Sequence, residues 1–174
     1  MEIIANYGIT LEPLKINTIE TVRLWRNQIE VSQFMEFQNE ISKEEQLIWF
    51  EKIQNSNSEY YIIKKEEQQI GLIHLNQIDY TTKSGEAGLF IGDNKFNGTG
   101  ITLGASILLL EYAFNKLGLD TIFAKVKNSN SNAINYNKLL GFAEDKPYNT
   151  EFTIYQLKKE QFYNIKPKLL LLLQ

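Results

Sequence analysis

Few residues in this chain are placed to do chemistry. A polar turn carrying Gly98 and Gly100 separates the apolar run Leu89-Phe90-Ile91 from a long apolar stretch that ends at Leu117. Glycines in such a turn reach backbone angles closed to other residues and leave no side chain in the way, so the amides around Thr99, Gly100, Ile101 and Thr102 can converge on one anion. A helix starting there adds unpaired donors and the positive end of its dipole, which suits a phosphate. Two glycines between a strand and a helix also make an ordinary tight turn. The spacing fits neither the Gly-Lys-Ser/Thr nucleotide loop nor the three-glycine dinucleotide fingerprint.

The only arginines, Arg23 and Arg26, stand three apart and are followed by Asn27. On a helix they occupy neighbouring surface, either as a solvated basic face with a salt bridge or as a guanidinium clamp for a diphosphate. His74 is the single histidine, Glu86 opens an apolar strand, and Asp79 lies in a loop. Histidine has the pKa of a general base at neutral pH, although a lone histidine on a strand face is more often packed and hydrogen-bonded. With one histidine and no cysteine, a multi-histidine or thiolate metal site, a disulfide and a cysteine nucleophile are all excluded. No metal is expected.

These residues need a scaffold. At 174 residues, 43% hydrophobic and 12% aromatic, residues 1–174 read as one globular domain. A net charge of -3 offers nothing to a nucleic acid, so no nucleic-acid partner is expected. The first residues lack the basic end and apolar run of a signal peptide, and the absence of cysteine is compatible with a cytoplasmic location. Leu169 to Leu173 is far too short to cross a bilayer, so no membrane partner is expected. The leucines should pack onto the domain or onto a second copy in a homodimer.

Periodicity lays out the elements. Ile9 to Leu14 reads as a strand and Thr18 to Gln28 as a helix with Ile19, Val22, Trp25 and Ile29 inward. Ser42 and Glu45 have the form of a capping box opening a helix through Ile53, after an aromatic-rich connection holding Phe34, Met35 and Phe37. A meander follows: Tyr60 to Lys65, Ile70 to Ile78, and Gly85 to Ile91. In the second of these, alternation puts Ile70, Leu72, His74 and Asn76 on one face. The long helix buries Leu103, Ile107, Leu110, Phe114 and Leu117 and stops at Gly118. Thr121 to Val126 is a strand, Asn128 to Asn132 leads into a helix stopped by Gly141, and Phe142 to Asp145 with Glu151 to Leu157 form a closing hairpin.

The turn FNGTGITL and, downstream, Asn130 followed by AINYNKLLGF (Ala133 to Phe142) together resemble the GNAT superfamily of N-acetyltransferases. The likeness covers most of the chain. It implies an α/β fold: a mixed, mostly antiparallel sheet of about seven strands with helices on both faces and a splayed parallel central pair, here Gly85 to Ile91 and Thr121 to Val126. It also implies acetyl-CoA as co-substrate, with the pyrophosphate on the turn's amides and the pantetheine arm in the splay, where it satisfies open backbone groups like a surrogate strand. Phe90, Ile91, Gly98, Thr99, Gly100, Ile101, Thr102, Asn130 and Asn137 are the implied cofactor contacts. The family pattern Q/R-x-x-G-x-G/A falls on Asn97 to Thr102, so Asn97 and Thr102 depart from it. The family's usual tyrosine aligns with Asn137, leaving Tyr136 one position early, a turn of about 100° on a helix.

LWRNQIEVSQFM followed by ISKEEQLIWFEKI resembles the branch that holds the pseudaminic acid pathway acetyltransferases, which act on 4-amino sugars carried by nucleotides. Ribosomal-protein N-terminal acetyltransferases share much of this pattern. The resemblance implies a small-molecule amine acceptor, a nucleotide-linked amino sugar, contacted by Arg23, Arg26, Asn27, Met35 and Phe37. The alternatives are N-terminal or aminoglycoside acetylation, or a non-catalytic acyl-CoA-binding domain. Direct transfer needs a base, an oxyanion donor and a proton for the thiolate. Glu86 is favoured as the base over His74, a backbone N–H near Phe90 or Ile91 meets the oxyanion, and Tyr136 or water supplies the proton.

Overall fold

The sheet begins in a hairpin that periodicity did not reveal. Strands β1 (Ile4–Asn6) and β2 (Ile9–Pro13) pair antiparallel around Tyr7 and Gly8, whose φ angles are 55° and 70°. Two left-handed residues give a turn whose twist matches that of its strands, but tyrosine rarely adopts that conformation, so the sequence carried no hairpin signal. The computed structural model describes residues 1–96 and 100–173, so Gly98 and Thr99, expected at the phosphate turn, lie outside the described residues.

A single 3-10 turn, Ile16–Thr18, precedes helix α1 (Ile19–Arg26), which is shorter than the expected Thr18 to Gln28. The one-turn helix α2 (Ile29–Ser32) and helix α3 (Lys43–Gln54) follow. The capping box expected at Ser42 is present: its Oγ accepts from the Glu45 amide at 3.1 Å, and Glu45 Oε2 accepts from the Ser42 amide at 2.8 Å. Strands β3 (Glu59–Lys65), β4 (Gln68–Asp79) and β5 (Ser84–Ile91) form the meander. Beyond it come α4 (Gly100–Asn115), β6 (Thr121–Lys127), α5 (Ser131–Leu139), β7 (Ala143–Pro147), β8 (Phe152–Lys158) and α6 (Lys159–Leu171).

One eight-stranded sheet results, in the order β1-β2-β3-β4-β5-β6-β8-β7, rather than the seven or so strands expected; β1 is the addition. Neighbours pair antiparallel except β5 and β6, which are parallel. Two apolar layers hold it. On one face, α4 and α6 pack on Leu11, Ile63, Ile73, Leu75, Ile122 and Leu157. On the other, Ile19, Val22 and Trp25 of α1 and Ile53 of α3 cover Leu14, Ile62 and Leu72. Helix α4 is buried almost all round from Ile101 to Phe114, as an apolar central helix must be, where the sequence suggested one apolar face.

Alternation along β4 fails at two bulges. The β3–β4 register shifts beside Ile63 and Lys64, so Ile70 turns to the α4 side while Leu72 faces α1, against the expectation that they share a face. The Ile70 carbonyl instead accepts from Gly92 and Asp93, at 2.8 and 3.1 Å. A second shift, with Gln77 at φ 51°, turns Ile78 to the α4 side as well. Leu72, His74 and Asn76, between the bulges, do share the α1 face. The leucine run closes α6: Leu169 is buried, Leu170 and Leu173 pack against the α4-side core, and Leu171 and Leu172 are exposed.

Candidate active site

Strands β5 and β6 run together for three residue pairs only: Ser84 with Thr121, Gly85 with Ile122, and Glu86 with Phe123. Beyond Glu86, β5 remains paired to β4 as far as Ile91, and β6 to β8 as far as Lys127. The facing edges, Ala87 to Ile91 and Ala124 to Lys127, therefore have no ladder partner across the opening. Extended backbone edges of this kind are what an amide-bearing chain can pair with. Phe90 and Ile91 line one wall. Helix α4 starts at the exposed Gly100, where, among the described residues, an added Cβ would meet only Leu173 Cδ2 at 3.7 Å. Ile101 is buried and Thr102 half-buried there. The fit to an extended acyl carrier rests on these two features together.

Helix α5 closes against that mouth. Asn130 is its N-cap, accepting from the Ala133 amide at 3.0 Å, and Asn137 Nδ2 donates to the Ala133 carbonyl at 2.8 Å. The Tyr136 hydroxyl lies 2.9 Å from the Thr102 carbonyl and 2.7 Å from Ser106 Oγ. A phenol has one proton: it donates to the carbonyl and accepts from Ser106. Burial pushes its pKa well up. Tyr136 thus docks α5 on α4.

The polar side chains gather on the α1 face of the sheet. Tyr60 on β3, His74 on β4 and Gly88 on β5 are register partners, as are Asn76 on β4 and Glu86 on β5. The Tyr60 ring stacks on His74 at 4.9 Å and meets Trp49 edge-on at 5.2 Å. Only glycine fits at position 88, since a Cβ there would lie 2.6 Å from His74 Cε1. Burial, with the Arg26 guanidinium nearby, pushes the His74 pKa down to about 4, so the ring is neutral at pH 7. Burial raises the Glu86 pKa; Lys125 and the Asn76 amide pull against it, and Glu36 reinforces it.

Of the residues expected to clamp an acceptor, Arg23 and Asn27 are committed elsewhere. Arg23 pairs both ways with Glu20, at 2.9 Å each, and Nη1 donates to the Ile41 carbonyl at 2.9 Å. Asn27 reads the same residue, Nδ2 donating to the Ile41 carbonyl and Oδ1 accepting from its amide, both at 2.9 Å. They fasten the connection between α1 and α3 rather than offering free donors. Arg26 differs: its Nε is buried without a partner among the described residues, its Nη2 reaches the Phe37 carbonyl at 3.5 Å, and its charge bears on Tyr60 and His74. Met35 is half-buried and Phe37 exposed in the same connection.

The sequence reading passed over several neighbours. Lys125 on β6 pairs with Glu36 at 2.7 Å and lies 4.5 Å from the centre of the Tyr148 ring, while Lys127 donates to the Gln33 carbonyl at 3.0 Å. Burial works against the charge on Lys125, but Glu36 and Glu86 outweigh it and its pKa rises. These bonds draw the α1–α3 connection across the opening beside Glu86. Alternation along β6 was the available signal, because Ile122, Ala124 and Val126 are core and Phe123, Lys125 and Lys127 must face the other way.

Residues 9–143 match the family model of the acetyltransferase (GNAT) domain. The chain is 33% identical over 153 residues to the acetyltransferase PseH of Campylobacter jejuni strain 81-176, covering 87% of each chain. It is 34% identical over 152 residues to the PseH of strain NCTC 11168, covering 86% of each. A crystal structure of spermidine N-acetyltransferase from Vibrio cholerae in complex with CoA and spermine superposes with a TM-score of 0.80 at 21% identity, over 91% of this chain and 100% of that one. With a parallel strand pair that parts after three residues, a buried helix starting on glycine beside it, and this family match over most of its length, the chain belongs to the GNAT family and is an N-acetyltransferase.

Proposed function

We propose that the protein transfers an acetyl group from acetyl-CoA to the 4-amino group of a nucleotide-linked sugar. The observation that carries this reading is the position of Glu86: a half-buried carboxyl of raised pKa at the last paired residue before β5 and β6 part. Acetyl-CoA supplies an activated acyl group as a thioester. The opening between Ala87–Ile91 and Ala124–Lys127 would hold its extended arm, and the start of α4 would hold its phosphates. Glu86 takes a proton from the acceptor ammonium, and an amide at Phe90 or Ile91 meets the charge that develops on the thioester oxygen.

Arg26 supports an anionic acceptor. It is a largely desolvated cation with no carboxylate partner among the described residues, a costly arrangement that a phosphate would relieve. A polycationic amine would meet repulsion there. The PseH relatives and the Trp-Arg-Asn helix point to the same branch.

The test is thiol release from acetyl-CoA over a panel of nucleotide-linked 4-amino sugars, the same sugars without nucleotide, ribosomal-protein N-terminal peptides, aminoglycosides and spermidine. Fastest turnover of the nucleotide-linked sugars is expected. Preference for a peptide or a polyamine would overturn the assignment.

A further inference from the structure

We infer that Asn76 contacts the acceptor and makes the enzyme specific for amines, its side-chain oxygen holding the N–H that survives into the amide product. The inference rests on the function proposed above and deepens it. Asn76 and Glu86 are direct register partners across β4 and β5, so their side chains leave the same face of the sheet side by side. The Asn76 amide opposes the rise that burial gives the Glu86 and Tyr60 pKa values, as an NH2 end facing a carboxylate, which when ionised can only accept, would do. The Oδ1 end is left buried with no partner among the described residues. A buried amide oxygen without a donor is costly and is retained where a ligand or water completes it.

The proton count shows why an amine completes it. The acceptor arrives as an ammonium and gives one proton to Glu86. The lone pair so released forms the C–N bond at the thioester carbonyl as the C–S bond breaks, and one of the two remaining N–H protons goes to the departing thiolate. The last N–H stays in the product, and Asn76 Oδ1 accepts from it throughout. A hydroxyl acceptor has one proton, which the base takes, and so has none to offer Asn76. The unpartnered oxygen is therefore a filter for nitrogen over oxygen nucleophiles.

The experiment compares wild type, Asn76→Ala and Asn76→Asp on whichever amine of the panel the wild type turns over best. Asn76→Ala should raise the acceptor KM about tenfold or more, the scale of a lost hydrogen bond to a charged group, while the acetyl-CoA KM stays within twofold. Asn76→Asp keeps an acceptor oxygen, so its acceptor KM should stay near wild type. Its added negative charge beside Glu86 should move the acid limb of the pH profile upward. The alanine variant loses an unsatisfied oxygen together with the amide's interaction with Glu86 and Tyr60, changes of opposite sign, so its Tm should stay close to wild type. An unchanged acceptor KM in Asn76→Ala, or equal losses in both variants with a lower Tm, would overturn the role of Asn76 while leaving the proposed reaction standing. Absence of turnover for every amine by the wild type would overturn both.

Discussion

Glu86 of β5 lies opposite Phe123 of β6 in the last register pair before the two strands part. One step further, Ala87 and Ala124 have no ladder bond between them, and the sheet opens. The carboxyl therefore stands at the head of the opening, at the point where the chemistry of a bound thioester and the polar cluster around His74 and Asn76 would meet. A strand end fixed on one side by β4 and on the other by three parallel pairs holds this carboxyl far more rigidly than a loop would.

Replacing Glu86 by glutamine should separate activity from stability. The substitution removes the proposed base, so kcat/KM should fall by about 10²–10⁴-fold, the usual range for general base catalysis. In the wild type, rate should fall as pH drops through the raised pKa, above the ordinary carboxylate range. Stability runs the other way. A carboxyl with a raised folded pKa binds its proton more tightly when folded, so stability declines as pH rises from the ordinary value through the raised one. Glu86→Gln should therefore show a higher Tm than wild type at pH 7, a difference that narrows toward pH 4.

His74 should contribute to acid lability and not to the rate profile. Its folded pKa, near 4, lies below the unfolded value of 6.5, so the unfolded chain binds the extra proton and stability is lost as pH falls from about 6.5 to 4. The full effect is at most about 3.5 kcal/mol. His74→Gln should flatten the dependence of Tm on pH across that window. No kinetic limb near pH 6.5 is expected in the wild type. A limb there that vanishes in His74→Gln would make His74 the base instead of Glu86.

Much of this was legible in the residues themselves. The Ser42–Glu45 cap, the helix between Gly100 and Gly118 and the parting strands all follow from local signals or from motif order, since each is dictated by backbone needs. Three things were not. The hairpin at Tyr7 and Gly8 uses a tyrosine in a left-handed conformation, and the bulge at Ile70 flips a face, because the tertiary register overrides period-two alternation. The fates of the two arginines are decided by the distant Ile41 carbonyl and by Glu20. Two guanidinium groups three residues apart look alike in sequence, and only the fold shows that one is spent and the other is not.

That difference predicts opposite phenotypes for the two arginines. Arg23→Ala and Asn27→Ala release Ile41 and should each lower the Tm, with the acceptor KM raised only modestly. Arg26→Met removes a desolvated cation that lacks a carboxylate partner among the described residues and should leave Tm unchanged or higher. It should raise KM for a nucleotide-linked acceptor at least tenfold and leave KM for acetyl-CoA unchanged. A Tm loss in Arg26→Met equal to that in Arg23→Ala, without the KM effect, would make Arg26 structural too.

Tyr136→Phe distinguishes a docking hydroxyl from a proton donor. The hydroxyl's proton is given to the Thr102 carbonyl and its oxygen faces Ser106, both on α4, and burial raises its pKa. A phenol so held gains little by giving its proton to a thiolate, which is the weaker base of the two once the phenolate is buried. Loss of the hydroxyl should leave kcat within about threefold while lowering stability by about 1 kcal/mol, the net worth of a neutral hydrogen bond. The Thr102 carbonyl belongs to the first turn of α4, so a small rise in KM for acetyl-CoA should accompany the change. A hundredfold loss in kcat with unchanged stability would instead make Tyr136 the acid, and would mean that α5 shifts on binding to bring the hydroxyl to the sulfur.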